Sequence, residues 1–350
     1  MIEGFHARIL SAALAAIVIG APGTARADAI EDFYKGRTVT WILSAGEGGG
    51  YSSYARVFAQ ALERSIPGNP KVVIQNMPGA GGIRASMHLY QIAPKDGSVI
   101  GLIHSSVPFA PLYGIKGANF DPRQFNWIGS MAVETAMCVS WRASGVTQSK
   151  DLFEERKYIV GGTGAGSQME TLPALLNKLI GTKIRIVSGY KGGNDVYLAM
   201  ERGEVTGRCG GLFSSISSTR PEWFAKNLVA VPIVIALKRS HRFPDVPAVI
   251  EFAKDEKTRK VLELSLAPQG MDRPLLAPPG TPPDKVAALR AAFHKAMKDP
   301  AFVDEAAKQK LEIEEVSGEE VANVIRQAYA SPPDIVQAAK DAMNLTGSGP

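Results

Sequence analysis

The sequence predicts an α/β protein of two lobes, each built on a mainly parallel sheet. Three observations point there. Short β-rich runs alternate with amphipathic helical stretches, the pattern of parallel strands joined by crossover helices. The alternation occurs as two series along the chain, which implies two sheets. At 350 residues the chain has room for about two domains. Apolar residues make up 45% and charged residues 21%, which excludes a disordered, collagen-like or coiled-coil protein. The net charge of +5 is small for this length and lacks the clustered basic face of a nucleic-acid binder.

The N-terminus reads as a leader. Arg8 precedes the apolar run from Ile9 to Gly20, and Ala25-Arg26-Ala27 supplies a small-residue cleavage pattern before Asp28. Residues 1–27 are therefore expected to be a secretory signal peptide cut after about Ala27. The apolar run is too short to span a bilayer as a helix. Export places Cys138 and Cys209 in an oxidising compartment. Two cysteines allow one disulfide between neighbouring strands or two buried free thiols. Alone they make neither a metal site nor a redox motif.

The elements follow in order. TVTWIL (38–43) runs into AGEGGG, and a helix follows with Tyr54, Val57, Phe58, Ala61, Leu62 and Ile66 at helical spacing. KVVIQ (71–75) runs into NMPGAGG, and the helix carrying Ile83, Met87 and Tyr90 stops before Pro94. SVIGLI (98–103) ends at His104-Ser105-Ser106. YIV (158–160) enters GGTGAG, where Ser167 and Glu170 have the spacing of a capping box. IRIV (184–187) enters SGYKGGND, where Asp195 reads as a helix cap, and VTGRC (205–209) enters Gly210-Gly211. LVAVPIVIAL (228–237) leads into proline-rich turns, and Met271 to Ala277 reads as a further strand. Thr281 reads as the cap of a helix with Pro282 at its first position, and Ser317 with Glu320 as a capping box for the last helix. Residues past about Asn344 read as a frayed tail.

Five strand ends lead into glycine. Glycine lets the backbone approach a ligand, and free N–H groups at helix starts favour anions. Nucleotide signatures fail on detail. AGEGGGYS has no P-loop lysine, and GGTGAGS has Ser167 where a dinucleotide fingerprint wants glycine. No G-x-S-x-G or H-E-x-x-H occurs. Among the histidines outside the leader, His104 alone sits at a strand end.

At these loops the chain resembles a known family. TVTWILSAGEGGGYSSYARVFAQAL, VVIQNMPGAGGIRAS and APKDGSVIGLI resemble the exported receptors of tripartite tricarboxylate transporters, the Bug or TctC-like solute-binding proteins. The resemblance continues through FNWIGSM, YIVGGTGAGS, GYKGGNDVYLAMERGEV, RFPDVPAVIEF and LLAPPGTPPDKVAALRAAF. NMPGAGG followed by a helix and A-P-x-D-G is its most specific part. It implies a periplasmic type II binding-protein fold with two α/β lobes joined by two crossing segments. Lobe 1 would be 28–130 plus 235–350, and lobe 2 would be 131–234. It implies a periplasmic, monomeric receptor that takes a small organic acid and hands it to membrane subunits. No cofactor, metal or catalytic group is implied, and no nucleic-acid partner.

Carried over by position, the first ligand loop supplies Ser44, Ala45, Glu47, Gly48, Gly49, Tyr51 and Ser52. The second supplies Asn76, Gly79, Ala80 and Gly81, and the third His104 and Ser105. Lobe 2 adds Thr163, Gly164, Ser167, Gln168, Tyr190, Gly192, Asn194, Asp195 and Gly210. Two departures mark the first loop. Ser52 stands where the family commonly has Asp, and Glu47 replaces a small residue, so a tricarboxylate cargo is not implied. Two other readings stay open: an exported enzyme with His104 or Glu47 as base, and a sensor receptor that presents its ligand to a signalling partner.

Overall fold

The computed structural model describes residues 23–164 and 167–343. The expected leader lies mostly outside these residues, as do Ala165, Gly166 and the expected tail. Helix α1 (Gly23–Tyr34) leads into strand β1 (Thr38–Leu43), helix α2 (Gly50–Ser65), β2 (Lys71–Asn76), α3 (Ile83–Gln91), β3 (Val99–Leu102) and β4 (Asn126–Ala132). The chain then forms β5 (Ala136–Trp141), β6 (Ile159–Gly161), α4 (Gln168–Ile180), β7 (Arg185–Val187), α5 (Gly193–Glu201), β8 (Gly207–Leu212), α6 (Phe213–Thr219), α7 (Pro221–Ala225) and β9 (Val229–Ile235). It closes with α8 (Glu256–Leu266), β10 (Asp272–Ala277), α9 (Pro283–Met297), α10 (Pro300–Lys308), β11 (Val316–Ser317), α11 (Gly318–Tyr329) and α12 (Pro333–Ala342).

Two sheets result. The first has the order β11-β4-β10-β3-β1-β2, and the second β7-β6-β8-β5-β9. The chain passes from the first to the second between Ala132 and Ala136, and returns between Ile235 and Asp272. Both sheets are mixed, where mainly parallel ones were expected. The series β1, β2, β3 and the series β6, β7, β8 are parallel within themselves. However, β10 runs antiparallel between β3 and β4, and β5 antiparallel between β8 and β9. The physical reason is that each crossing strand enters its new sheet from the opposite end. This matters for the site. The start of β10 meets the end of β4, Asp272 pairing with Ala132, so an N-terminal strand edge joins the C-terminal strand ends.

Aromatic packing fills each core. Phe58 of α2 stacks on Trp41, Phe293 and Phe302 with ring centres 6.2, 5.5 and 4.9 Å apart, all four buried. In the second lobe Trp223 lies edge-on to Trp141 and Tyr197, at 5.3 and 5.1 Å. Cys138 of β5 and Cys209 of β8 are joined across neighbouring antiparallel strands. Strand β9 tolerates Pro232 because it is a sheet edge.

The Ser317–Glu320 capping box forms as expected. The Ser167–Glu170 box does not. Ser167 is the N-cap, but its hydroxyl makes no cap bond, and Glu170 instead accepts from the Gly164 N–H at 2.7 Å. Asp195 lies in the first turn of α5, and the cap is Gly192. Helix α9 begins one residue late, with Pro282 as N-cap, because the Thr281 hydroxyl donates to the Pro278 carbonyl instead. Gly210 and Gly211 lie inside β8 rather than beyond it.

Candidate functional site

The loops at the strand ends of both sheets enclose one cavity of about 610 Å³. Seventeen expected site residues line it: Ser44, Ala45, Glu47, Gly49, Tyr51, Gly79, Ala80, Gly81, His104, Thr163, Ser167, Gln168, Tyr190, Gly192, Asn194, Asp195 and Gly210. Five do not. The Ser52 hydroxyl donates to the Gly46 carbonyl at 2.7 Å and shapes the first loop from behind. The Asn76 amide donates to the Ala45 carbonyl at 2.7 Å and ties the second loop to the first. Ser105 is buried beneath the wall, and Gly164 is held by Glu170. Gly48 turns the first loop with φ of 78°.

Five helices begin at residues that line this cavity: α2 and α3 from the first lobe, and α4, α5 and α6 from the second. The N-caps of α2, α4 and α5 are Gly49, Ser167 and Gly192, and none supplies a side-chain cap bond. First-turn N–H groups of an α-helix have no partner within the helix. Left uncapped around one cavity, they provide directed donors and the positive ends of three helix dipoles. Of α2, α4 and α5, the first belongs to the first lobe and the other two to the second.

His104 anchors the first-lobe wall. Its Nδ1 lies 2.9 Å from Ser44 Oγ, and the His104 backbone N–H donates to the same oxygen at 3.0 Å. The Tyr51 ring packs 4.5 Å away. Burial first, then Arg273 and Arg208, pull the imidazole pKa down to about 4, so the ring is neutral at physiological pH. Gly82 makes this contact feasible. At φ of 105° it lies so close that a Cβ there would sit 2.9 Å from His104 Nδ1.

Beneath the cavity lies a charged cluster that was not read from the sequence. Arg273 is completely buried and holds φ of 65°, which is strained for a residue with a side chain. It pairs with Asp272, lies 3.5 Å from Glu134, and donates to Ser215 Oγ at 3.0 Å. Its guanidinium stacks on Tyr51 and Tyr54 at 4.3 and 4.5 Å. Asp272 accepts from the hydroxyls of Tyr51 and Ser105, and Ser105 accepts from the Gln168 amide at 3.2 Å. Glu134 sits in the first crossing segment. It accepts from the Ser214 N–H and hydroxyl and from Tyr54. Burial raises the Glu134 pKa to about 7 against the lowering pull of Arg273. One arginine cannot neutralise two buried carboxylates, and Asp272 already holds it. The cluster thus joins α2, β10, the crossing segment and α6, and so both lobes. Arg208, Tyr197 and Ser215 also line the cavity without having been expected, and Lys191 lines it within the expected Tyr190–Asp195 loop. For Arg208 a signal existed: a lone arginine two residues before a glycine pair at a strand end.

Among the described residues, no group of three or more His, Cys, Asp or Glu side chains could hold a metal ion. No helix among them is long and apolar enough to cross a membrane.

Comparison with known proteins agrees with this architecture. The family model described as tripartite tricarboxylate transporter family receptor matches residues 54–340. Protein BugT of Bordetella pertussis is 26% identical over 290 residues, covering 79% of this chain and 82% of BugT. The periplasmic binding protein BugD aligns with a TM-score of 0.67 at 21% identity, covering 88% of this chain and 98% of BugD. MatC from Rhodopseudomonas palustris, solved with bound malate, gives 0.66 at 19% identity, covering 88% and 99%. These structural likenesses concern the fold.

Proposed function

The chain belongs to the receptor family of the tripartite tricarboxylate transporters, and we propose that it captures a small organic acid between its lobes for delivery to the membrane subunits of such a transporter. One observation carries this reading: three uncapped helix N-termini, drawn from both lobes, face one cavity. A carboxylate there accepts from donors on each side, so it stabilises the closed arrangement of the lobes over the open one. MatC, whose fold this chain shares, was solved with malate, a small organic acid. Capture needs no covalent step. His104, held neutral with its Nδ1 engaged by Ser44, serves as a wall and a hydrogen-bonding group.

The same reading places the protein in the periplasm as a monomer, after cleavage near Ala27. Its closing bodies meet at the two crossings, between Ala132 and Ala136 and between Ile235 and Asp272. Glu47 is exposed yet reaches the cavity, where it selects among cargoes by its charge. Mass spectrometry of the small molecule released from freshly purified protein, followed by thermal unfolding with a panel of organic acids, tests the reading. A true ligand at 100 times its Kd adds about 2.7 kcal/mol of stability. Failure of every acid to shift the transition would overturn it.

A further inference from the structure

Arg208 differs from every other charged residue at the cavity. It lies half-buried on β8, and its guanidinium reaches the first turn of α5, where a Cβ added to Gly193 would sit 2.7 Å from Nη1. The guanidinium carbon is 4.9 Å from the centre of the Tyr197 ring, which supports its plane. Arg220 approaches the same ring at 5.9 Å, but it is paired with Glu201 at 2.7 Å. Among the described residues Arg208 has no ion pair and no side-chain hydrogen bond, and its Nε is buried without a partner. Lys191 is the other basic side chain on the cavity wall, but it is exposed.

A guanidinium carries five donors in a rigid fork, and leaving part of that fork buried and unpaired costs free energy. Such a fork on a cavity wall matches a planar oxyanion, which it grips in two parallel hydrogen bonds. In the first lobe, the uncapped start of α2 faces the same space. Asp272 does not compete for Arg208, because Arg273 already holds it.

We propose that Arg208 is a specificity-determining residue of the site: its fork receives the second carboxylate of a dicarboxylate whose first carboxylate sits at the start of α2. This rests on the acid-receptor reading above. A diacid then spans the lobes with a charge at each end. A monoacid of the same length satisfies one end and leaves the Arg208 fork unpaired.

Calorimetry on ligand-stripped protein with matched acids tests this: succinate against butyrate, malate against 3-hydroxybutyrate, adipate against hexanoate. Wild type should bind at least one diacid about 10- to 100-fold more tightly than its monoacid partner, the range for hydrogen bonds to charged groups. Arg208→Gln should remove most of that factor from the diacid while moving the monoacid less than about threefold. Arg208→Lys, which keeps the charge and the aliphatic stem but not the fork, should fall between. The assignment is overturned if a monoacid binds wild type as tightly as its diacid. It is also overturned if either variant, folded by its melting transition, weakens both acids equally or neither. If wild type binds none of the six acids but another acid shifts its thermal transition, the dicarboxylate assignment is overturned and the receptor reading stands; if no organic acid binds at all, the receptor reading itself fails.

Discussion

Replacing Glu134 by glutamine should reverse part of the pH dependence of stability. In the folded protein the Glu134 carboxyl titrates at about 7, against an ordinary glutamate value of 4.5. The folded state thus holds this proton through a window in which the unfolded chain has lost it. Stability from this group is therefore complete below about pH 4.5 and is lost as pH rises through 7. A carboxyl titrating at about 7 rather than 4.5 corresponds to a difference of roughly 3 kcal/mol at most. Glutamine keeps the shape and cannot ionise, so the variant lacks this loss. Urea unfolding at half-unit intervals from pH 4.5 to 8 measures the difference. The variant should match wild type near pH 5 and become relatively more stable above pH 7, by about 1–3 kcal/mol. The opposite trend, a variant relatively weaker as pH rises, would mean that attraction to Arg273 outweighs burial. The reasoning about one arginine and two carboxylates would then be refuted.

Other outcomes follow from the same geometry. Gly50 opens α2 against α6 of the opposite lobe, and an alanine Cβ there would lie 2.8 Å from Ser215 Cβ and 3.2 Å from its Cα. Gly50→Ala should wedge the helices apart, weakening ligand affinity about 10-fold with little change in unfolding, read by calorimetry and urea titration. For His104 the sign is reversed: its folded pKa of about 4 lies below the ordinary 6.5, so its contribution is present above pH 6.5 and lost as pH falls towards 4. His104→Gln should flatten stability across that acid window, measured by the same titrations; an unchanged slope would show that the ring is not held neutral. Removing the Cys138–Cys209 bond, which closes a 71-residue separation, should lower stability by about 2–4 kcal/mol in a paired alanine variant. Glu47→Gln should change the ranking of acids more than the melting temperature, because the side chain is exposed at the cavity. Identical affinities across a panel of acids would sink that role.

The loops were legible in the sequence because strand runs that end in glycine mark the C-terminal edges of parallel strands. That pattern marked the loops; the family resemblance assigned Ser44, Gly79, His104, Thr163 and Gly192 within them, and all five line the cavity. The charged cluster was illegible for a topological reason. Asp272 and Arg273 open an antiparallel strand, so an N-terminal edge far along the chain inserts among the C-terminal ends. Nothing in MDRPLLA announces that insertion. Glu134 was hidden in the same way, because a crossing segment has no periodicity. Ser167 and Glu170 failed as a capping box because a nearby loop N–H, that of Gly164, competed for the carboxylate. Spacing identifies a box only when no closer donor exists.

The most direct test is to follow the acid that copurifies with the protein through a titration and a prolonged incubation. Capture between two lobes predicts saturation at one molecule per chain, with the acid recovered unchanged afterwards. Consumption of acid in excess of the protein, or no saturable binding of any organic acid, would contradict it.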